Sequence, residues 1–266
     1  MDTIESLFAF IFNYLRKTTA DLFQKLSLYN QEPKYLPDNP VDIIEKVQSQ
    51  NHNPNRGPSP LIVFMLGPPG AGKGTQSAAL CARNPGLTHL SFGDLLRHHD
   101  RIPGDWVTIF PRRHGKVGNR LLPAEYAVQL LVQTIKKGAE RDGKNQMTWI
   151  VDGFPRNKNH VAAWLENAPP VQCAFYLSCD RDVLVARIGG RAADGSGRVE
   201  DMNPNMIKER VDRNLSESQA MLDVLKANGI RVIQVDTNRS VDSVENELDM
   251  HFKRISGDWK AMHNPK

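Results

Sequence analysis

The stretch from Leu61 to Gln76 reads LIVFMLGPPGAGKGTQ. Six apolar residues run directly into a glycine-rich turn and the start of a helix. A continuous apolar run of this length marks a strand buried on both faces. Gly67, Gly72 and Lys73 stand in the spacing G-x-x-x-x-G-K. Glycines at these places let the backbone curl so that several N–H groups aim at one anion, and the helix beginning near Lys73 adds the positive end of its dipole. Lys73 supplies a point charge for the β- and γ-phosphates of a nucleotide. Gly74 follows the lysine where a Ser or Thr is common, and Thr75 comes next, so the hydroxyl for magnesium is displaced by one position. The bland alternative is a glycine turn without a ligand, and the placement straight after an apolar strand argues against it.

Four more apolar runs lie downstream: HLS from His89, WIVD from Trp149, CAFYLS from Cys173 and RVIQVD from Arg231. Helical patterns cover Lys73 to Arg83, Gly93 to His99, Pro123 to Lys137, Lys158 to Asn167, Arg181 to Gly189, Asn205 to Ala227 and Val241 to Arg254. Strands alternating with helices imply a three-layer α/β fold, with a five-stranded parallel sheet covered by helices on both faces. Ligands of such sheets bind at the carboxyl ends of the strands.

The 266 residues carry a formal net charge of +4, with 40% hydrophobic and 24% charged residues, enough chain for a buried core and too apolar for a disordered tail. Cys81, Cys173 and Cys179 form no C-x-x-C pair, so a reduced compartment is expected and a structural zinc is not. No concentrated basic stripe suggests nucleic acid. Residues 1 to 30 read as an amphipathic helical extension, with Ile4, Phe8, Ile11, Leu15, Leu22 and Leu26 at helical spacing. Its apolar block is too short to span a bilayer, which takes roughly 20 residues. Asp2 and Glu5 fit neither a secretory signal nor a mitochondrial presequence. Packing on its own domain or a protein partner is the first reading for this helix, and a membrane-surface or organelle-targeting role the second. Residues 31 to 60, with six prolines from Pro33 to Pro60, read as a linker.

Arginines stand at telling places. Arg97 ends SFGDLLR soon after a strand. VDGFPRN puts Asp152 at a strand's carboxyl end and Arg156 just beyond it. Arg187, Arg191, Arg198 and Arg210 then occur in a short span, interleaved with glycines. With GPPGAGKGTQ, LSFGDLLR, VDGFPRN and ARIGGRAADGSGRVEDMNPNMIKER in this order, the chain resembles the nucleoside monophosphate kinases, the family of adenylate kinases and UMP-CMP kinases. The resemblance covers roughly Leu61 to Phe252.

It implies a P-loop NTPase fold spanning 61–256 with a small NMP-binding region at 91–122, a short LID at 190–204 and a tail at 257–266. It implies that ATP is held by Gly67, Gly70, Ala71, Gly72, Lys73, Gly74 and Thr75, with Arg187 against the donor adenine. Arg97 and Arg156 would grip the acceptor's phosphate, and Arg191, Arg198 and Arg210 would close over the transferring group. Asp152 would orient water on the Mg2+ that accompanies ATP, with no direct protein ligand to the metal. Phe92, Gly153 and His160 would complete the acceptor site. Phosphoryl transfer agrees with such a set. Charge spreads over several oxygens in a loose transition state, and planar guanidinium forks suit them.

The pattern strains on the acceptor side. Phe92 stands where the family usually has Thr or Ala, and there it would crowd the base. His160 stands where many adenylate kinases place a base-reading Gln, and an imidazole offers one bond per nitrogen. An exposed helix residue is the plain alternative for it. Pro103, Gly104 and Pro111, and extra residues at Gly118, Asn119 and Arg120, point to a remodelled NMP-binding region. The expected function is therefore an ATP-dependent kinase of a nucleoside monophosphate, with UMP or CMP ahead of AMP, acting as a cytoplasmic monomer. A non-catalytic nucleotide-binding module tethered by its N-terminal helix is the alternative.

Overall fold

The computed structural model describes residues 59–102, 113–114, 120–141, 148–193 and 203–263. The expected helical extension, almost all of the linker, Arg198 and most of the 190–204 LID lie outside the described residues.

Strand β1 (Leu61–Leu66) is buried along its whole length. Side chains alternate across a strand, so Ile62, Phe64 and Leu66 join one apolar cluster while Leu61, Val63 and Met65 join another on the opposite face. This accounts for the unbroken apolar run. Around β1 stand β2 (Leu87–Ser91), β5 (Thr148–Asp152), β6 (Cys173–Ser178) and β7 (Arg231–Asp236), in the order β2-β5-β1-β6-β7, all parallel. A separate two-stranded antiparallel pair, β3 (Arg113–His114) with β4 (Arg120–Leu121), adds a hairpin in the remodelled region.

Seven helices are described: α1 (Lys73–Arg83), α2 (Phe92–Asp100), α3 (Ala124–Arg141), α4 (Lys158–Asn167), α5 (Arg181–Ala193), α6 (Pro204–Ala227) and α7 (Val241–His263). Helices α2, α3 and α4 cover one face with Phe92, Leu131 and Trp164, and α1, α5 and α7 cover the other with Leu80, Leu184 and Leu248. Helix α6 serves both, giving Ile207 and Val211 to the second face and Met221, Leu222 and Leu225 to the first. Its start is fixed by Asn203, whose side-chain oxygen accepts from the Asn205 and Met206 N–H groups, with Pro204 at the first position.

Two boundaries differ from the sequence reading. Helix α5 runs on through Gly189 and Gly190 to Ala193, so the first residues of the expected LID are helical. Helix α7 continues to His263, so residues 257–263 of the expected 257–266 tail are helical, with Trp259 buried beside Phe252 and Ile255 in the core. Anchors at these positions lie on one helical face, and their burial outweighs the cost of about 1 kcal/mol for Gly257 within the helix.

Strand β1 is the switch point of this sheet. Its chain leaves through α1 to β2 on one side, while β6 flanks it on the other. The crevice at the carboxyl ends of β1 and β5 is the place where such a sheet receives a ligand.

Candidate active site

The turn after β1 has three left-handed glycines, Gly67 (φ 139°), Gly70 (φ 86°) and Gly72 (φ 89°). Two are also confined from outside. A Cβ on Gly67 would stand 2.5 Å from the Leu177 carbonyl oxygen, and one on Gly70 would stand 2.8 Å from the Leu184 carbonyl oxygen. Strand β6 and helix α5 therefore press the loop into its curl. Helix α1 starts from Gly72 with no side-chain cap and no acidic residue in its first turn. Its first N–H groups are suited to an anion. Lys73 lies back across the loop, its Nζ donating to the Gly67 oxygen at 2.8 Å and the Pro68 oxygen at 2.9 Å. Ala71 is buried beneath it, and Thr75 is exposed at the helix start.

Asp152 ends β5 on this same side. It is 8% exposed, 3.4 Å from Nε2 of His89, and 3.9 Å from where a Cβ on Gly74 would stand. Gly153 follows with φ 75° and donates its N–H to the Met65 oxygen at 3.3 Å. Its own carbonyl accepts Nε–H of Arg156 at 3.1 Å.

Arg97 and Arg156 come from different elements and converge. A Cβ placed on Gly93 would be 3.3 Å from Nη1 of Arg97 and 3.8 Å from Nη2 of Arg156. Arg97 reaches this point from α2, whose start is capped by Ser91, and it pairs with Asp94 one turn back. Arg156 lies over the Phe92 ring, with its guanidinium carbon 5.0 Å from the ring centroid. The two guanidiniums thus lie on one side of Gly93, with the Asp94 carboxylate on Arg97.

Phe92 and His160 are both buried. Phe92 is 1% exposed, packs edge-on to Phe154 at 5.4 Å and supports Arg156 from below. His160 is 2% exposed and stacks on Phe154 at 5.0 Å. Its Nδ1 accepts the Arg156 N–H at 3.1 Å, and its Nε2 faces the Leu122 oxygen at 3.5 Å. It is therefore not the exposed helix residue of the plain alternative. Sequence reasoning missed this aromatic support; its signal was Phe92 and Phe154 each standing beside a glycine of an arginine motif.

Burial, together with the Arg156 charge, pushes the His160 pKa down to about 4, although the Leu122 carbonyl acts the other way. Below the ordinary value near 6.5 the unfolded chain takes up a proton that the folded chain refuses, so stability falls as pH drops from about 6.5 towards 4. Between pH 7 and 5 the wild-type chain is expected to lose about 2 kcal/mol more than His160→Asn. Denaturant unfolding at the two pH values checks this, and equal losses would contradict it.

The remaining arginines lie on the neighbouring helices. Arg187 donates from Nη2 to the Thr237 oxygen at 2.8 Å and lies 3.7 Å from the Cys179 sulfur, joining α5 to the loops after β6 and β7. Arg191 is half-buried in the last turn of α5, and Arg210 is half-buried on α6, which packs against α5. Among the described residues no three His, Cys, Asp or Glu side chains gather as a metal site.

Comparison with known proteins agrees with this geometry. The family model described as adenylate kinase matches residues 65–230. The chain is 32% identical over 202 residues to a UMP-CMP kinase of Xenopus tropicalis, 33% over 199 residues to one of Gallus gallus and 31% over 202 residues to one of Homo sapiens. Each match covers 73% of this chain and 98% of the relative. The non-catalytic module finds no support in these matches. With a phosphate loop at the switch point and paired arginines beside it, the chain belongs to the adenylate kinase family and is a nucleoside monophosphate kinase.

Proposed function

We propose that the protein transfers the γ-phosphate of ATP to UMP or CMP in preference to AMP, giving ADP and a nucleoside diphosphate. The observation that carries the reading is the convergence of Arg97 and Arg156 over Gly93, at the same sheet edge as Lys73. An acceptor phosphate held there has its second pKa near 6, so it is largely ionised at neutral pH and needs no general base. One of its oxygens attacks the γ-phosphorus, the bond to the β–γ bridging oxygen breaks, and the electron pair leaves with ADP. Lys73 and the loop N–H groups hold the donor phosphates, while Arg191, Arg198 and Arg210 approach from α5, the LID and α6. Arg187 and the Thr237 loop form the wall offered to the donor base.

Magnesium fits this arrangement. Asp152 offers one carboxylate beside the loop and Thr75 one exposed hydroxyl, a donor set suited to an ion that keeps most of its waters and arrives on ATP. Bound there, the ion would neutralise charge on the β- and γ-oxygens. Asp152 would orient one of its waters.

The pyrimidine preference is supported by the names of the relatives and by the lack of a glutamine at position 160. A coupled assay with ATP and magnesium against AMP, UMP, CMP, dCMP and GMP tests it. UMP or CMP is expected to exceed AMP in kcat/KM by about tenfold or more, a difference of about 1.4 kcal/mol in transition-state binding. AMP ahead of both would overturn the preference. Among the described residues no helix is long and apolar enough to cross a membrane. A cytoplasmic monomer, with the N-terminal extension free to meet a protein or membrane surface, completes the proposal.

A further inference from the structure

We infer that His160 is a positioning residue for the acceptor phosphate, acting through Arg156: its unprotonated Nδ1 fixes the backbone from which the guanidinium projects. The inference rests on the reading that Arg156 grips that phosphate. Four contacts define it. The Arg156 N–H is bonded to Nδ1 at 3.1 Å. The His160 ring is itself fixed by the stack on Phe154 and by an edge-on contact with Phe92 at 6.4 Å. Phe92 in turn lies beneath the Arg156 guanidinium. Main chain and side-chain head of Arg156 are thus held by members of one aromatic group.

The hydrogen bond requires a particular form of the ring. A nitrogen that accepts an N–H must carry a lone pair, so the proton of the neutral imidazole belongs on Nε2, towards the Leu122 oxygen. Desolvation keeps the imidazole neutral, and Arg156 is the charged group facing it. Leu122 immediately follows β4 and precedes α3, so the same ring also ties the acceptor-side hairpin to Arg156. An asparagine at 160 offers an acceptor oxygen close to the place of Nδ1; a leucine fills the space and offers none.

The test compares His160→Leu with His160→Asn in the full chain, with UMP, CMP and AMP as acceptors. His160→Leu is expected to raise the acceptor KM by about tenfold or more, because small misplacements of a positioning group carry large kinetic effects. The KM for ATP stays within about twofold. His160→Asn restores most of the acceptor KM. An unchanged acceptor KM in the leucine variant overturns the inference, and so does an asparagine variant as impaired as the leucine one. Arg156→Ala separates the two levels. If it leaves acceptor binding and turnover intact, the reading of Arg156 fails and this inference fails with it. If it is impaired while His160→Leu is normal, only the inference falls. Should the leucine variant not fold, ring 15N shifts of the wild-type protein decide, with Nδ1 expected unprotonated at neutral pH; a protonated Nδ1 overturns the assignment.

Discussion

Arg156→Ala lowers turnover by about a hundredfold or more while the protein stays folded. Loss of that size corresponds to about 2.7 kcal/mol of transition-state stabilisation, well within the range for an arginine facing a transferring phosphoryl group. The guanidinium is held by the Gly153 oxygen and the Phe92 ring and meets Arg97 over Gly93. Truncation removes half of the paired site and leaves Arg97 alone. The fold survives because the rings beneath, Phe92, Phe154 and Trp164, keep their own contacts with Phe64 and with one another. Steady-state kinetics with a thermal melt reads both halves of the result. A near-normal rate in a folded variant would remove Arg156 from the reaction.

Gly67→Ala is expected to abolish productive ATP binding and to lower stability by about 3 kcal/mol or more. Two separate costs meet at this residue. Its φ of 139° is one that L side chains rarely adopt, and the new methyl would collide at 2.5 Å with a backbone oxygen of β6. A backbone atom in a central strand cannot move aside as a flexible side chain does, so the loop must yield. Gly72 provides the contrast. It has φ 89° but nothing within 4 Å of a Cβ, so Gly72→Ala carries only the conformational cost of about 1–2 kcal/mol. Calorimetric ATP titration and denaturant unfolding of both variants check the ranking. Equal effects would show that the outside contact with β6 does not shape the loop.

The sheet and the phosphate loop were legible because each rests on local pattern. β1 had to be doubly buried to carry six apolar residues in a row, and helices α1 and α4 begin and end at the residues the periodicity gave. Helix ends were harder where local signals conflicted with packing. Gly189 and Gly190 read as a stop, yet α5 continues past them. Trp259 continues the spacing of Phe252 and Ile255 across Gly257, a residue that weakens a helix unless packing holds it. The hairpin of β3 and β4 falls in a stretch whose prolines and glycines have no period.

At the site, the residues whose place in the fold was legible from sequence were those set by a nearby strand end: Gly67, Lys73, Asp152, Arg97 and Arg156. His160 was not, because its burial depends on Leu122, 38 residues away, and on Phe92 from a third element. A histidine on a short helix gives no local sign of such neighbours. The packing of Phe92 against Phe154 and beneath Arg156 was hidden for the same reason.

The most direct test is a crystal structure with a bisubstrate ligand, adenosine joined to uridine through five phosphates. The account predicts that the phosphate next to uridine lies between the guanidiniums of Arg97 and Arg156, with the adenosine end of the chain in the Gly67–Lys73 loop and Arg191 brought towards the middle. A uridine-side phosphate bound elsewhere, away from both Arg97 and Arg156, would contradict it.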